Sequence, residues 1–267
     1  TNLNSLHVIF PRLCDIYHMQ NLNNKQVLKT KTYQTTNLDK IDLGKIPTKS
    51  LLTGKYRKYT FDESFFMKES PESAYFFGFA LGDGCLSIRP ENSKYQLSFQ
   101  LNEKDHSILE QFCNWTSCSN KAIGITTKNL HQLRFNNKKL FTENDFSKWG
   151  LVCNKTINAV KPTIKNNINY FIIGLLDADG SISWNSNNNH STNRIDLICN
   201  KLIIEWYIEA IKNLGFDGKI THFNPSNKSW ARATIHRRKD IINLCNILDI
   251  QNCNFKLQRK WNKIIIE

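Results

Sequence analysis

Two short segments of this chain repeat one pattern, and that repetition constrains its fold more than any other feature. The first reads Phe76-Phe77-Gly78-Phe79-Ala80-Leu81-Gly82-Asp83-Gly84, the second Ile172-Ile173-Gly174-Leu175-Leu176-Asp177-Ala178-Asp179-Gly180. Their Asp-Gly pairs lie 96 residues apart, a suitable length for one duplicated unit. Gly78 and Gly174, with Ala80 and Ala178, remove side-chain bulk at helical spacing, so two such helices can approach closely.

The stretches after the two segments also match in kind. Leu86 and Ile88 alternate with Ser87 and Arg89, then Tyr95, Leu97, Phe99 and Leu101 alternate with Lys94, Gln96, Ser98 and Gln100. This period of two predicts strands with one apolar and one polar face. Helical spacing comes next at Ile108, Leu109 and Phe112, strands are expected near 121–126 and 130–136, and helical spacing returns over 140–149. In the second unit, Ile182 and Trp184 precede a polar run ending at Asn193, then Ile195 and Leu197 alternate with Arg194 and Asp196. A helix is expected over 201–214, stopped by Gly215, with strands near 218–223 and 230–236 and helices over 239–248 and 255–266. The fold class is therefore α+β: two pseudo-twofold-related αββαββα units, each an antiparallel, saddle-like sheet with helices on one face. The division expected is a basic N-terminal extension over 1–70, a first repeat over 71–165 and a second over 166–267. The extension carries 11 Lys/Arg against 6 Asp/Glu and a break at 44–50. It reads as an arm that packs on the first unit or touches phosphate, with a helix-turn-helix as the alternative.

The repeated segments resemble the motif of the LAGLIDADG homing endonucleases, a resemblance that covers residues 71–267. The second segment is close to the motif, whereas in the first Leu81 and Gly82 replace the usual Asp-Ala. The resemblance implies a site-specific double-strand DNA endonuclease whose motif helices pack side by side, the last aspartate of each binding catalytic metal. Those residues are Asp83 and Asp179, with the carbonyls of Gly82 and Ala178 as further ligands. Electrostatics agrees, because a carboxylate at a helix C-terminus faces the negative end of the dipole and two such carboxylates repel. A divalent cation, Mg²⁺ or Mn²⁺, resolves both conflicts. By the same resemblance Glu103 helps hold catalytic water, with Cys199 or Asn200 as its counterpart. Lys155 supports the transition state, with Lys256 as the best counterpart, and Asp177 is read as structural.

The composition fits a polyanionic partner. Lys and Arg number 36 against 23 Asp and Glu, a net charge of +13. The polar strand faces then offer DNA contacts: Ser87, Arg89, Lys94, Gln96, Ser98, Gln100, Gln132 and Arg134 in the first half. In the second they are Ser183, Asn185, Arg194, Asp196, Arg232, Thr234 and His236. Arginine suits guanine, Gln and Asn suit adenine, and lysine suits phosphate. The expected partner is duplex DNA with a long, pseudo-symmetric or asymmetric site, bound by a monomer. The alternatives are an intron RNA, bound by a maturase, and DNA bound without cutting. No apolar run reaches the length of a membrane span. The eight cysteines form no C-x-x-C pair and no zinc spacing, which points to a reducing intracellular compartment. The bias toward Asn, Lys and Ile fits an AT-rich genome, whether of an organelle, a phage or a bacterium.

Overall fold

The computed structural model describes residues 59–184 and 193–264. Asn185, the break at 44–50 and residues 1–58 of the extension lie outside them. Helix α1 (Pro71–Asp83) runs into β1 (Gly84–Arg89) and β2 (Lys94–Leu101), followed by α2 (His106–Trp115), β3 (Gly124–Ile125), β4 (His131–Asn136) and α3 (Lys138–Glu143). The second half repeats the order with α4 (Ile168–Asp179), β5 (Gly180–Ser183), β6 (Arg194–Asn200), α5 (Lys201–Asn213), β7 (Thr221–Phe223), β8 (Trp230–Ile235) and α6 (Arg238–Ile247). A short α7 (Gln258–Trp261) closes the order. Each half forms a four-stranded antiparallel sheet, ordered β1-β2-β4-β3 and β5-β6-β8-β7.

The expected elements exist, but several are shorter. β3 loses its first residues to a 3-10 turn over Asn120–Ala122. β7 starts late because Lys219 N–H turns to the Asp240 carboxylate, 3.0 Å away. The helix expected over 140–149 stops at Glu143, since Asp145 caps Ser147 and starts a separate 3-10 turn that ends on left-handed Gly150. The stop at Gly215 is a left-handed C-terminal turn at φ 97°, in which Phe216 N–H returns to the Ile211 carbonyl.

Helix α1 begins on a capping box between Ser70 and Ser73, with Pro71 in the first turn, where its missing N–H costs nothing. Helix α4 begins on Asn167 without a side-chain cap. Instead Asn167 donates from its amide to the Glu69 carbonyl (2.7 Å), which ties the starts of the two helices together. The core packs on one face of each sheet. In the first half it is aromatic: Phe76, Phe77, Phe79, Phe99, Phe112, Phe135 and Trp149 are buried. Residues of the extension join it, with Phe65 and Phe66 buried edge-on against Phe76. In the second half the core is mostly aliphatic, with Ile172, Ile173, Leu175, Ile195, Leu197, Ile204, Ile211 and Ile235 all buried. Among the described residues no helix is long and apolar enough to cross a membrane.

Candidate active site

Helices α1 and α4 cross at their glycines. A Cβ on Gly78 would fall 2.0 Å from the Phe171 carbonyl oxygen, and one on Gly174 would fall 2.2 Å from that of Tyr75. Gly78 and Tyr75 stand in the first helix where Gly174 and Phe171 stand in the second, so the two contacts are one contact repeated by a pseudo-twofold axis. At the axis a Cβ on Gly82 would meet the Ala178 Cβ at 2.2 Å and the Asp179 carboxyl carbon at 3.4 Å. The crossing therefore carries Asp83 and Asp179, each the last residue of its helix, to the same place. Both are half-buried, directly before the first strand of their sheets.

A lysine closes each helix end. Lys155 donates from Nζ to the carbonyls of Ala80 (2.7 Å), Gly82 (2.7 Å) and Gly84 (2.5 Å). Lys260 does the same for Leu176 (3.0 Å), Asp177 (2.6 Å) and Gly180 (2.7 Å). Each ammonium gathers carbonyls from the end of its helix and the start of the following strand, and sits at the negative end of the helix dipole. Lys260 is therefore the geometric counterpart of Lys155, and this corrects the assignment of Lys256. Lys256 instead donates to the Cys253 carbonyl (2.9 Å). Similar spacing misleads: Lys155 lies 72 residues after Asp83 and Lys256 77 after Asp179, whereas Lys260 lies 81 after Asp179. Leu257, Lys260 and Trp261 are all buried, and that helical stripe is the available signal. Burial holds the Lys260 ammonium below the usual lysine range, while the charges of Asp177 and Asp83 act in the opposite sense.

Asp177 is structural, but its bonds are long-range rather than local. It is buried and accepts from the Tyr75 hydroxyl (2.7 Å), the Leu257 N–H (2.8 Å) and the Trp261 indole (2.7 Å). Burial raises its pKa to about 6 against the opposing pull of these donors. At the same positions of the other helix stand Leu81 and Phe171. The tyrosine–aspartate pair therefore has an apolar pair as its pseudo-symmetric image.

Glu103 opens a 3-10 turn at the end of β2 and is exposed. Strand register fixes its counterpart. Phe99 pairs with Gly84 and Leu197 with Gly180, so counting onward from each puts Lys201 opposite Glu103. Cys199 and Asn200 correspond to Leu101 and Asn102. Beside Glu103, Asp105 accepts a two-pronged bond from Arg259 of the far half (2.5 and 2.7 Å). Among the described residues no three His, Cys, Asp or Glu side chains converge as a metal cage. The donors at the axis are carboxylate and carbonyl oxygens, which suit a hard divalent cation. The Gly82 carbonyl already accepts from Lys155, whereas Lys260 bonds the neighbours of Ala178, so the two carbonyl candidates are not equivalent.

The sheet faces hold the remaining candidates. Register puts Ser87, Arg89, Lys94, Gln96, Ser98, Gln100, Gln132 and Arg134 on one face of the first sheet, opposite the core. Gln96, at its centre, is buried, while Gln100 and Arg134 are exposed. In the second sheet Ser183, Arg194, Asp196, Arg232 and Thr234 share the equivalent face, and exposed His236 comes directly after β8. Asp196 and Thr234 are buried there rather than outward, because they satisfy each other: the Thr234 hydroxyl donates to Asp196 at 2.6 Å. Arg194 and Arg232 close over the same carboxylate at 3.0 and 3.5 Å.

No protein-family model and no curated protein matches the chain. Solved structures do. I-SmaMI bound to uncleaved DNA target in the presence of calcium ions is 15% identical with a TM-score of 0.44, covering 74% of this chain and 97% of that one. The I-SmaMI LAGLIDADG homing endonuclease bound to cleaved DNA is 14% identical with a TM-score of 0.44, over 74% and 95%. Full-length DUF199/WhiA from Thermatoga maritima is 14% identical with a TM-score of 0.42, over 78% and 68%. On its own geometry, two motif helices crossed glycine to backbone, each feeding an antiparallel four-stranded sheet, this chain has the LAGLIDADG fold.

Proposed function

We propose that the chain is a site-specific, metal-dependent double-strand DNA endonuclease that acts as a monomer. The observation that carries this reading is the helix crossing, which brings Asp83 and Asp179 together between two sheet faces rich in polar and basic side chains. Asp83, Asp179 and the Ala178 carbonyl would hold Mg²⁺ or Mn²⁺, with Gly82 the weaker candidate. When bound, the cation supplies charge stabilisation at the phosphate and a more acidic water. The chain's own residues do the rest. Lys155 and Lys260 fix the helix ends from which both carboxylates project, and they place positive charge beside the axis. Glu103 provides a carboxylate for a water at one side, whereas Lys201 provides an ammonium at the other. The two strands are therefore cut unequally, the one served by Glu103 first.

The test uses a library of duplex targets with Mg²⁺ and, separately, Ca²⁺. Cleavage in Mg²⁺ is expected, abolished in Asp83→Asn and in Asp179→Asn while duplex binding in Ca²⁺ persists. Tight binding without cleavage in any divalent metal overturns the nuclease and leaves a DNA-binding protein. Selective binding of structured intron RNA indicates a maturase on the same fold.

A further inference from the structure

We infer that the second sheet reads thymine methyl groups through Ile198 and Phe223, so that one half of the target is recognised by apolar contact. The inference rests on the DNA-binding reading above. Its starting point is a contradiction on a face patterned for polarity. Ile198 is 41% exposed and Phe223 54% exposed. Register places them in one row across three strands, Ile198 beside Arg232 and Arg232 beside Phe223. The ring of Trp230 braces Phe223 at 5.8 Å. Large apolar side chains aligned on one face mark a surface that something covers.

The chemistry around the row narrows the occupant to DNA. The chain carries +13 net charge; Arg232 stands within the row, and Arg194 lies on the same face beyond Asp196. A polyanion with an apolar group of methyl size is what such a surface fits. In the major groove of DNA that group is the thymine C5-methyl. Three polar side chains of this face, Arg194, Arg232 and Thr234, are engaged by Asp196, whose side chain is 5% exposed. The corresponding row of the first sheet is Gln100, Gln132 and Gly124, a row suited to hydrogen-bonding adenine. The two faces therefore read by different means.

The test selects bound duplexes from a randomised library with the full chain in Ca²⁺, then replaces each thymidine of the selected site by deoxyuridine, which lacks only the methyl. Affinity is expected to fall about fourfold per contacted methyl, the equivalent of ~0.8 kcal/mol for one buried carbon. The losses should be confined to the half of the site whose preference relaxes in Ile198→Gln and Phe223→Ser. They should disappear in those variants and persist in Ile198→Val. A selected site whose affinity changes less than twofold on every replacement overturns the methyl reading and leaves DNA binding standing. Losses confined to the half relaxed by Arg134→Ala also overturn it, since they belong to the other sheet. Failure to enrich any duplex overturns both readings.

Discussion

Across the first sheet one row holds Gln100, Gln132 and Gly124, and across the second the same row holds Ile198, Arg232 and Phe223. One row over, Ser98 and Arg134 stand where the second sheet has Asp196 and Thr234. Arg134 is exposed and forms no ion pair among the described residues, whereas Arg194 and Arg232 share Asp196. At the helix crossing the halves agree almost atom for atom, glycine against backbone on both sides. The difference shows where the duplication is free to diverge. A backbone contact within 2.2 Å of a missing Cβ leaves no alternative residue. A solvent-facing row constrains only the alternation of the strand. The core lies between these extremes, aromatic in one half and aliphatic in the other at similar burial.

The largest effects should come from breaking the part that agrees. Gly78→Ala and Gly174→Ala each drive a methyl into a carbonyl, and each should destabilise by roughly 3 kcal/mol or more despite the better helix propensity of alanine. Thermal unfolding should show similar losses for the two. Gly82→Ala differs in kind, because its obstacle is the Ala178 methyl. The double variant Gly82→Ala with Ala178→Gly should recover most of that loss, and no single partner change should rescue Gly78→Ala. Unequal losses at Gly78 and Gly174 would break the pseudo-symmetry.

Next in size is the buried pair that only one half possesses. Asp177→Leu copies Leu81 but strands the Tyr75 hydroxyl, the Trp261 indole and the Leu257 N–H, at about 3–5 kcal/mol. Adding Tyr75→Phe should return part of it, a coupling that a double-mutant cycle measures. The acid also predicts a pH dependence. Its pKa is raised from 3.8 to about 6, so the folded chain holds a proton that the unfolded chain has lost between those values. Stability should therefore fall as pH rises through that window, by on the order of 3 kcal/mol in total. Asp177→Asn should flatten that part of the profile, and an unchanged slope in this variant would assign it to other groups.

The lysines give the third comparison. Lys260→Met should cost roughly 2–3 kcal/mol, since it removes three buried bonds to carbonyls at the end of α4 and the start of β5. Lys155→Met should cost somewhat less, its amine being only partly buried. Lys256→Met should stay within about 1 kcal/mol, because it removes one bond to a nearby loop carbonyl. Denaturant unfolding ranks the three, and a larger loss at Lys256 than at Lys260 would reverse the assignment of the counterpart.

The repeat, the alternation in β1, β2, β6 and β8 and the two aspartates are legible in the sequence because each is a local pattern with a fixed period. The paired approach of the helices is also legible, since small residues at helical spacing have few other uses. The illegible part depends on register or on distant partners. The identity of Lys201 as the image of Glu103 comes from which residue pairs with Gly84 and Gly180, and no spacing along the chain gives it. Lys260 is hidden because a buried lysine looks like a break in an apolar stripe until the carbonyls it caps are known. Asp196 faces outward by alternation alone. It is buried because its neighbours on the same face are two arginines and a threonine, and their side chains close over it.

The smallest predicted effect tests that closure directly. Asp196→Asn keeps an acceptor for the Thr234 hydroxyl, so stability should change by less than about 1 kcal/mol. It removes the charge that holds Arg194 and Arg232 and should make the second face resemble the first. Affinity for random duplex should then tighten several-fold, and the dependence of log K on log salt should steepen by about one phosphate contact. Ser98→Asp places an acid at the equivalent point of the first sheet, beside Arg134, and should weaken binding by a similar factor. If both changes leave the salt slope alone, the arginines of neither face meet the backbone of DNA. Opposite shifts of similar size mean that the faces differ by one carboxylate in how they hold phosphate, and by the row next to it in what they read.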